Sequence, residues 1–217
     1  KVISATLEDG YAADADCDCV LPAPAPLREY MWTPVLKLRD ANWSPDLPAT
    51  AAVVRSIYGR CQGVEVDGVI AVDLEAVGAV LDVLGPLQPE GYDTPVTRET
   101  FEELLAQYWD NPVNSQTMSE NKDAWWLHRK DLMRDLLREL VRKAGSGLGG
   151  VPVRRGIQTA LRMLQEKHLQ IYVDEPAAQK ALAMAAWDGA VQNRGGDYVL
   201  VADSNVGFRK VNPYIER

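Results

Sequence analysis

Positive charge, histidine and long apolar runs are all scarce in this sequence. Acidic residues number 31 against 23 basic ones, which leaves a formal net charge of −8 over 217 residues. General binding to a phosphate backbone depends on a surplus of lysine and arginine, so nucleic acid is excluded as a partner class. The two histidines, His128 and His168, stand 40 positions apart. A histidine zinc site or a catalytic triad needs several convergent groups, and two isolated rings do not supply them. No apolar run approaches the roughly 18 residues of a spanning helix. The most apolar stretch, 181–187, is flanked by Lys180 and Asp188. No targeting segment is visible. The glycine-rich 145–150 lacks the Gly-Lys-Ser/Thr ending of a phosphate-cradling loop, and there is no Gly-x-Ser-x-Gly elbow.

What remains is the composition of a folded protein, 47% hydrophobic and 25% charged, with enough chain for a proper core. Three cysteines, Cys17, Cys19 and Cys61, are too few and too tightly spaced for a zinc knuckle. Two readings stand. Either Cys17 or Cys19 is bridged to Cys61, which implies an oxidising compartment, or all three are reduced thiols.

Along the chain, 1–7 reads as a β-strand with no lead-in, and the end at 212–217 carries no stop signal. The sequence is therefore read as a fragment. Prolines 22, 24, 26 and 34 predict an extended connection over 20–34, followed by a polar, turn-rich loop over 38–48. Residues 49–58 are expected to be helical, with Val53, Val54 and Ile57 on one side. The β-branched run 64–72 predicts a strand buried on both faces. Asp73 is placed to cap a helix bearing Leu74, Val77, Leu81 and Leu84, which Gly85-Pro86 ends. Thr97 is placed to cap 98–109. A polar loop over 111–121, a long helix over 124–144 and a helix over 154–167 follow. A short strand at 169–173, a helix from Glu175-Pro176 to Val191 and a strand at 198–203 complete the pattern. Strands interleaved with helices point to an α/β fold: one layered α/β/α domain over 1–217, with a central mixed sheet covered by helices on both faces.

Two polar clusters are candidates for binding. Arg39, Asp40, Asn42 and Asp46 crowd around Trp43 ahead of a helix, an arrangement that suits ligand recognition. Read locally, Arg39 pairs with Asp40 and Asp46 caps the next helix. Asp203-Ser204-Asn205-Val206-Gly207 follows a strand end, where α/β sheets bind ligands. Asn205, Arg209 and Asn212 would face a polar cleft there, or the segment is a tight turn. Arg129, Lys130, Arg134, Arg138 and Arg142 read as one solvated helix face balanced by Asp131, Asp135 and Glu139.

Four blocks carry a family resemblance: Leu38-Arg-Asp-Ala-Asn-Trp-Ser-Pro-Asp46, Val66-Asp-Gly-Val-Ile-Ala-Val-Asp73, Leu84-Gly-Pro86, and Asp203-Ser-Asn-Val-Gly207 with Asn212-Pro213. Together they resemble the bacterial envelope proteins grouped as domain of unknown function 4012, over nearly the whole chain. That resemblance implies a first strand and a membrane anchor upstream, and an extracytoplasmic, membrane-anchored location. The element order is also distantly similar to the LytR-CpsA-Psr family, whose members move glycopolymers from polyprenyl-pyrophosphate carriers to the cell wall using Mg2+ with arginine and aspartate. Asp9 matches the aspartate of that family's strand-end motif and would be the Mg2+ ligand. Glu8 stands where its arginine belongs, and at the long helix Arg129 or His128 occupies the place of a second arginine.

These resemblances imply a binding or structural module for an envelope glycan or lipid-phosphate, with Arg39, Asp40, Asn42, Asp46, Asn205 and Arg209 as ligand-binding residues. The alternative they imply is a Mg2+-dependent phosphotransferase with Asp9 and Arg129 as catalytic residues and a polyprenyl-linked glycan or cell-wall polymer as substrate. A third reading, a subunit of a surface protein assembly, rests on six tryptophans and eight tyrosines as interface anchors.

Overall fold

The computed structural model describes residues 6–15, 17, 21–109, 131–145, 153–192, 195, 197, 199–202 and 206. It combines helices with a two-stranded sheet. In chain order the elements are α1 (Gly10–Ala13), α2 (Ala25–Tyr30), a 3-10 helix (Leu38–Trp43), α3 (Leu47–Gln62), β1 (Gly68–Val72), α4 (Leu74–Leu84), α5 (Arg98–Trp109), α6 (Asp131–Gly145), α7 (Val153–Gln165), β2 (Leu169–Val173) and α8 (Pro176–Met184). The contacts divide the chain into two compact units: Lys1–Asp9 with Val72–Leu169, and Gly10–Ala71 with Gln170–Arg217.

The first unit is built on α4, α5, α6 and α7. Asp73 caps α4 by accepting from the Ala76 amide at 3.0 Å, and Gly85, with φ +73°, lets the chain leave the helix. Thr97 and Thr100 exchange hydrogen bonds at the start of α5: the Thr97 amide donates to Thr100 Oγ1 at 2.9 Å and the Thr100 amide to Thr97 Oγ1 at 3.2 Å. This is the reciprocal logic of a capping box with threonine in the third position. The core gathers Leu81, Leu87, Val96, Phe101, Leu104 and Leu136. Phe101 is 1% exposed, and burying an aromatic ring of this size is worth about 3 kcal/mol. The outer face of α6 carries three ion pairs at i,i+3 spacing, Asp131–Arg134, Asp135–Arg138 and Glu139–Arg142, as its charge pattern predicts.

The second unit packs α3 against the 3-10 helix around Leu27, Leu36, Ala41 and Ile57. A disulfide joins Cys17 to Cys61, so of the two partners open in the sequence Cys17 is the one used. Asp46 caps α3 through the Ala49 amide at 3.0 Å, and Gly63 ends it at φ +65°. Glu175 caps α8 by accepting from the Ala177 and Ala178 amides.

Within the sheet, β1 and β2 are antiparallel: the Asp174 amide donates to the Asp67 carbonyl at 2.8 Å and the Asp73 amide to the His168 carbonyl at 3.3 Å. The described residues hold no third strand in this sheet, so the central mixed sheet of the expected layering goes beyond what is seen.

Several expectations are corrected. The connection 20–34 is not extended throughout, since α2 forms with Pro24 at its N-cap and Pro26 in the first turn, where a missing amide costs nothing. The loop predicted over 38–48 begins as the 3-10 helix, kinked at Asn42. The strand expected over 64–72 is confined to β1 and is not buried on both faces, with Ile70 and Val72 exposed. The last helix ends at Met184 rather than Val191 because Ala186 turns left-handed at φ +56°. The Trp187 amide then reaches back to the Leu182 carbonyl at 2.9 Å, satisfying the helix end. Residues 199–202 of the strand expected over 198–203 are described without strand structure, and Val199 and Val201 are 84% and 79% exposed. β-propensity alone does not make a strand without a neighbour to pair with. Thr6 and Leu7 likewise carry no strand, while the polar loop over 111–121, and the parts of the 1–7 strand and the 124–144 helix before 6 and 131, lie outside the described residues.

Candidate functional site

In the first unit, α4 and α7 run side by side and leave a groove of about 520 Å³ between them. Its walls are Ala76, Val80 and Val83 from α4 and Val153, Ile157 and Ala160 from α7. Leu140 of α6 and Val72, Leu169 and Met163 complete the lining. These positions follow helical spacing, so each helix contributes one aliphatic stripe. Gly156 leaves space on the α7 side that a Cβ would enter, 3.9 Å from Val83 Cγ1. Val153 and Ile157 are 65% and 56% exposed, and an open apolar surface of this kind marks a place where something binds.

Charged side chains lie beside the helices that form the groove. At the start of α4, His168 Nδ1 lies 2.7 Å from Asp73 Oδ2, and this hydrogen bond holds the imidazole above its usual pKa. Glu75 accepts from Arg98, which lowers the Glu75 carboxyl and raises the Arg98 guanidinium. Arg98 also reaches Asp82 at 3.2 Å. It lies across Gly78, where a Cβ would come within 3.1 Å of its Nη1. Three carboxylates meet one arginine and one histidine here. Arg154 and Arg155 project from the first turn of α7 beside Val153 and are exposed, and Lys143 donates from the end of α6 to the Pro86 carbonyl at 3.2 Å.

The cluster picked out from the sequence sits in the second unit and is largely occupied with shaping it. Asp14, 4% exposed, accepts from the Leu38 amide at 2.7 Å and the Arg39 amide at 3.3 Å, so it caps the 3-10 helix from 24 positions upstream. Arg39 stacks over the Tyr11 ring at 4.5 Å from its centroid, a cation–π contact. Its guanidinium lies 3.5 Å from Asp14 and 3.6 Å from Asp40. Burial raises the Asp40 carboxyl; Arg39 opposes the shift and Asp14 adds to it. Asp46 uses both oxygens, one on the Ala49 amide and the other on the Val191 amide at 2.8 Å. Asn42 is exposed at the kink. Both local readings of this segment, the Arg39–Asp40 pair and the Asp46 cap, are present.

Asp9, half-buried, belongs to the first unit, whereas Arg39, Asp40, Asn42 and Asp46 belong to the second. Arg129, Asn205 and Arg209 lie outside the described residues. Among the described residues no group of three or more His, Cys, Asp or Glu side chains is arranged to hold a metal ion. Nor is any helix among them long and apolar enough to cross a membrane.

Sequence reasoning missed the groove. Its signal was the second apolar stripe of α4, Ala76, Val80 and Val83, beside the core stripe Leu74, Val77 and Leu81, together with the aliphatic face of α7. Two stripes on one short helix mean two buried or binding faces. Asp14 and Tyr11 left no local signal, because their partners are far away in sequence.

Residues 5–108 match the family described as Protein of unknown function (DUF4012). No curated protein and no solved structure matches the chain.

Proposed function

From the match of residues 5–108 to the DUF4012 family we propose that this chain is an extracytoplasmic module of the bacterial cell envelope that holds a lipid-phosphate. The observation that carries the reading is the aliphatic groove between α4 and α7. A hydrocarbon tail gains from burial against Val80, Val83 and Ile157 in proportion to the apolar area removed from water. The groove's volume falls within the range of small-molecule sites. Arg154 and Arg155 at one end offer cationic partners to a phosphate head group. The Cys17–Cys61 disulfide supports an oxidising, extracytoplasmic compartment. The reading includes a LytR-CpsA-Psr-like layering around β1 and β2 and a membrane anchor upstream.

The test is a titration of the protein with farnesyl phosphate, with farnesol and inorganic phosphate as separate arms. Farnesyl phosphate is expected to bind, farnesol more weakly, and inorganic phosphate not measurably. Ile157→Asp, at an exposed position where folding tolerates the change, removes binding of both lipids. Replacing Arg154 and Arg155 together by alanine weakens only farnesyl phosphate, by about tenfold, or 1.4 kcal/mol. Failure of the wild type to bind either lipid overturns the reading.

A further inference from the structure

The register of β1 against β2 leaves one strand edge open. Because Asp67 and Asp174 face each other as a hydrogen-bonded pair, the alternation of an antiparallel ladder turns the amide groups of Val69 toward β2 and those of Gly68 and Ile70 away from it. On the opposite side of the ribbon the outward amides are taken. The Ile171 amide donates to the Trp187 carbonyl at 3.0 Å and the Val173 amide to Gln179 Oε1 at 3.0 Å. No such partner meets Gly68 or Ile70 among the described residues.

This edge has none of the usual protection. The strand reads Gly-Val-Ile-Ala-Val, without the lysine, proline or bulge that blunts a solvent-facing edge. Ile70, in its middle, is 64% exposed. A two-stranded ribbon is marginal by itself, and a third strand is what completes it. The charge beside the edge is acidic on balance: Glu65 and Asp67 are exposed and form no ion pair among the described residues, while Arg55, which donates to the Val66 carbonyl between them at 2.9 Å, is neutralised by its pairing with Asp174.

The geometry points to β1 as a docking edge for an extended segment of another protein, one with alternating aliphatic side chains and a lysine or arginine at the end that meets Glu65 and Asp67. Backbone hydrogen bonds to Gly68 and Ile70 supply affinity, the aliphatic residues cover Ile70, and the basic end fixes direction. A second copy is disfavoured as the occupant, since it carries the same acidic flank and a formal net charge of −8. The inference stands independently of what the groove binds.

The experiment uses a synthetic peptide of alternating valine and threonine with lysine at both ends, titrated against the protein. Ile70→Pro removes an outward donor and leaves the β1–β2 ladder intact, because the Ile70 amide does not serve that ladder. Ile70→Lys is the second variant, with no backbone change. Binding is expected to the wild type, to weaken at least about tenfold in both variants, and to vanish when alternate peptide amides are N-methylated. A peptide with glutamate at both ends should bind at least as much more weakly. No binding to the wild type, equal binding to the variants, or indifference to the terminal charges overturns the proposal. So does a wild-type dimer in solution that Ile70→Pro dissolves, which would assign the edge to a second copy.

Discussion

His168 and Asp73 are tied twice where β2 and α4 begin: Nδ1 of the imidazole meets Asp73 Oδ2 at 2.7 Å, and the Asp73 amide donates to the His168 carbonyl at 3.3 Å. The same aspartate caps α4 with its other oxygen. The pair raises the histidine above its ordinary pKa of about 6.5. Its stabilisation is therefore fully present below that value and is lost as pH rises through the folded-state pKa. Urea midpoints should fall between pH 5.5 and 8, and His168→Gln should flatten the fall. Both side chains are substantially exposed, so the effect is of order 0.5 kcal/mol. A pH dependence unchanged in His168→Gln would contradict this assignment.

Gly68 is required by a close approach rather than by its backbone angle. A Cβ there would lie 2.5 Å from the Tyr172 carbonyl oxygen and 3.3 Å from Val173 Cα. These are backbone atoms that cannot swing aside. Gly68→Ala should destabilise the protein by about 1–3 kcal/mol, whereas Ala71→Gly in the same strand should cost less than about 1 kcal/mol. Thermal melts of the two variants side by side distinguish the cases.

The Cys17–Cys61 bond closes a loop spanning 44 positions. On the chain-entropy account, reduction or Cys61→Ser should cost about 4 kcal/mol. Thiol titration of the denatured protein should give one reactive group before reduction and three after it, in keeping with three cysteines. Three before reduction would mean that the bond does not form in solution.

Asp14 and Asp40 flank the same arginine and should behave oppositely on deletion. Asp14 is buried and holds two backbone amides, so Asp14→Ala should cost about 2–3 kcal/mol. Asp40 is held protonation-prone by burial more than it is helped by Arg39, and Asp40→Ala should fall within about 0.5 kcal/mol of wild type. Denaturant unfolding at pH 7 reads both, and equal losses would show that the two carboxylates share one role.

How much of this was legible beforehand can be seen residue by residue. Asp46, Asp73 and Gly85 acted where the sequence placed them, because a cap or a stop is satisfied within three or four positions of itself. The α6 ion pairs were legible for the same reason. Pro24 and Pro26 misled, since proline suits both an extended connection and a helix's first turn, and the choice rested on Leu27 finding the core of the second unit. What occupies Arg39 and Asp46, two of the proposed ligand residues, came from Tyr11, Asp14 and Val191.

The sequence by itself thus determined the helix starts, the turn glycines and the acidic balance, all properties of neighbouring residues or of composition. Only the tertiary structure decided which cysteine bridges to Cys61, that α4 has a second apolar face left open against α7, and that no other described strand pairs with the outer edge of β1. Those outcomes depend on contacts between residues tens of positions apart. The free energy of such a contact is set by what the rest of the chain brings to it, and no local pattern encodes that.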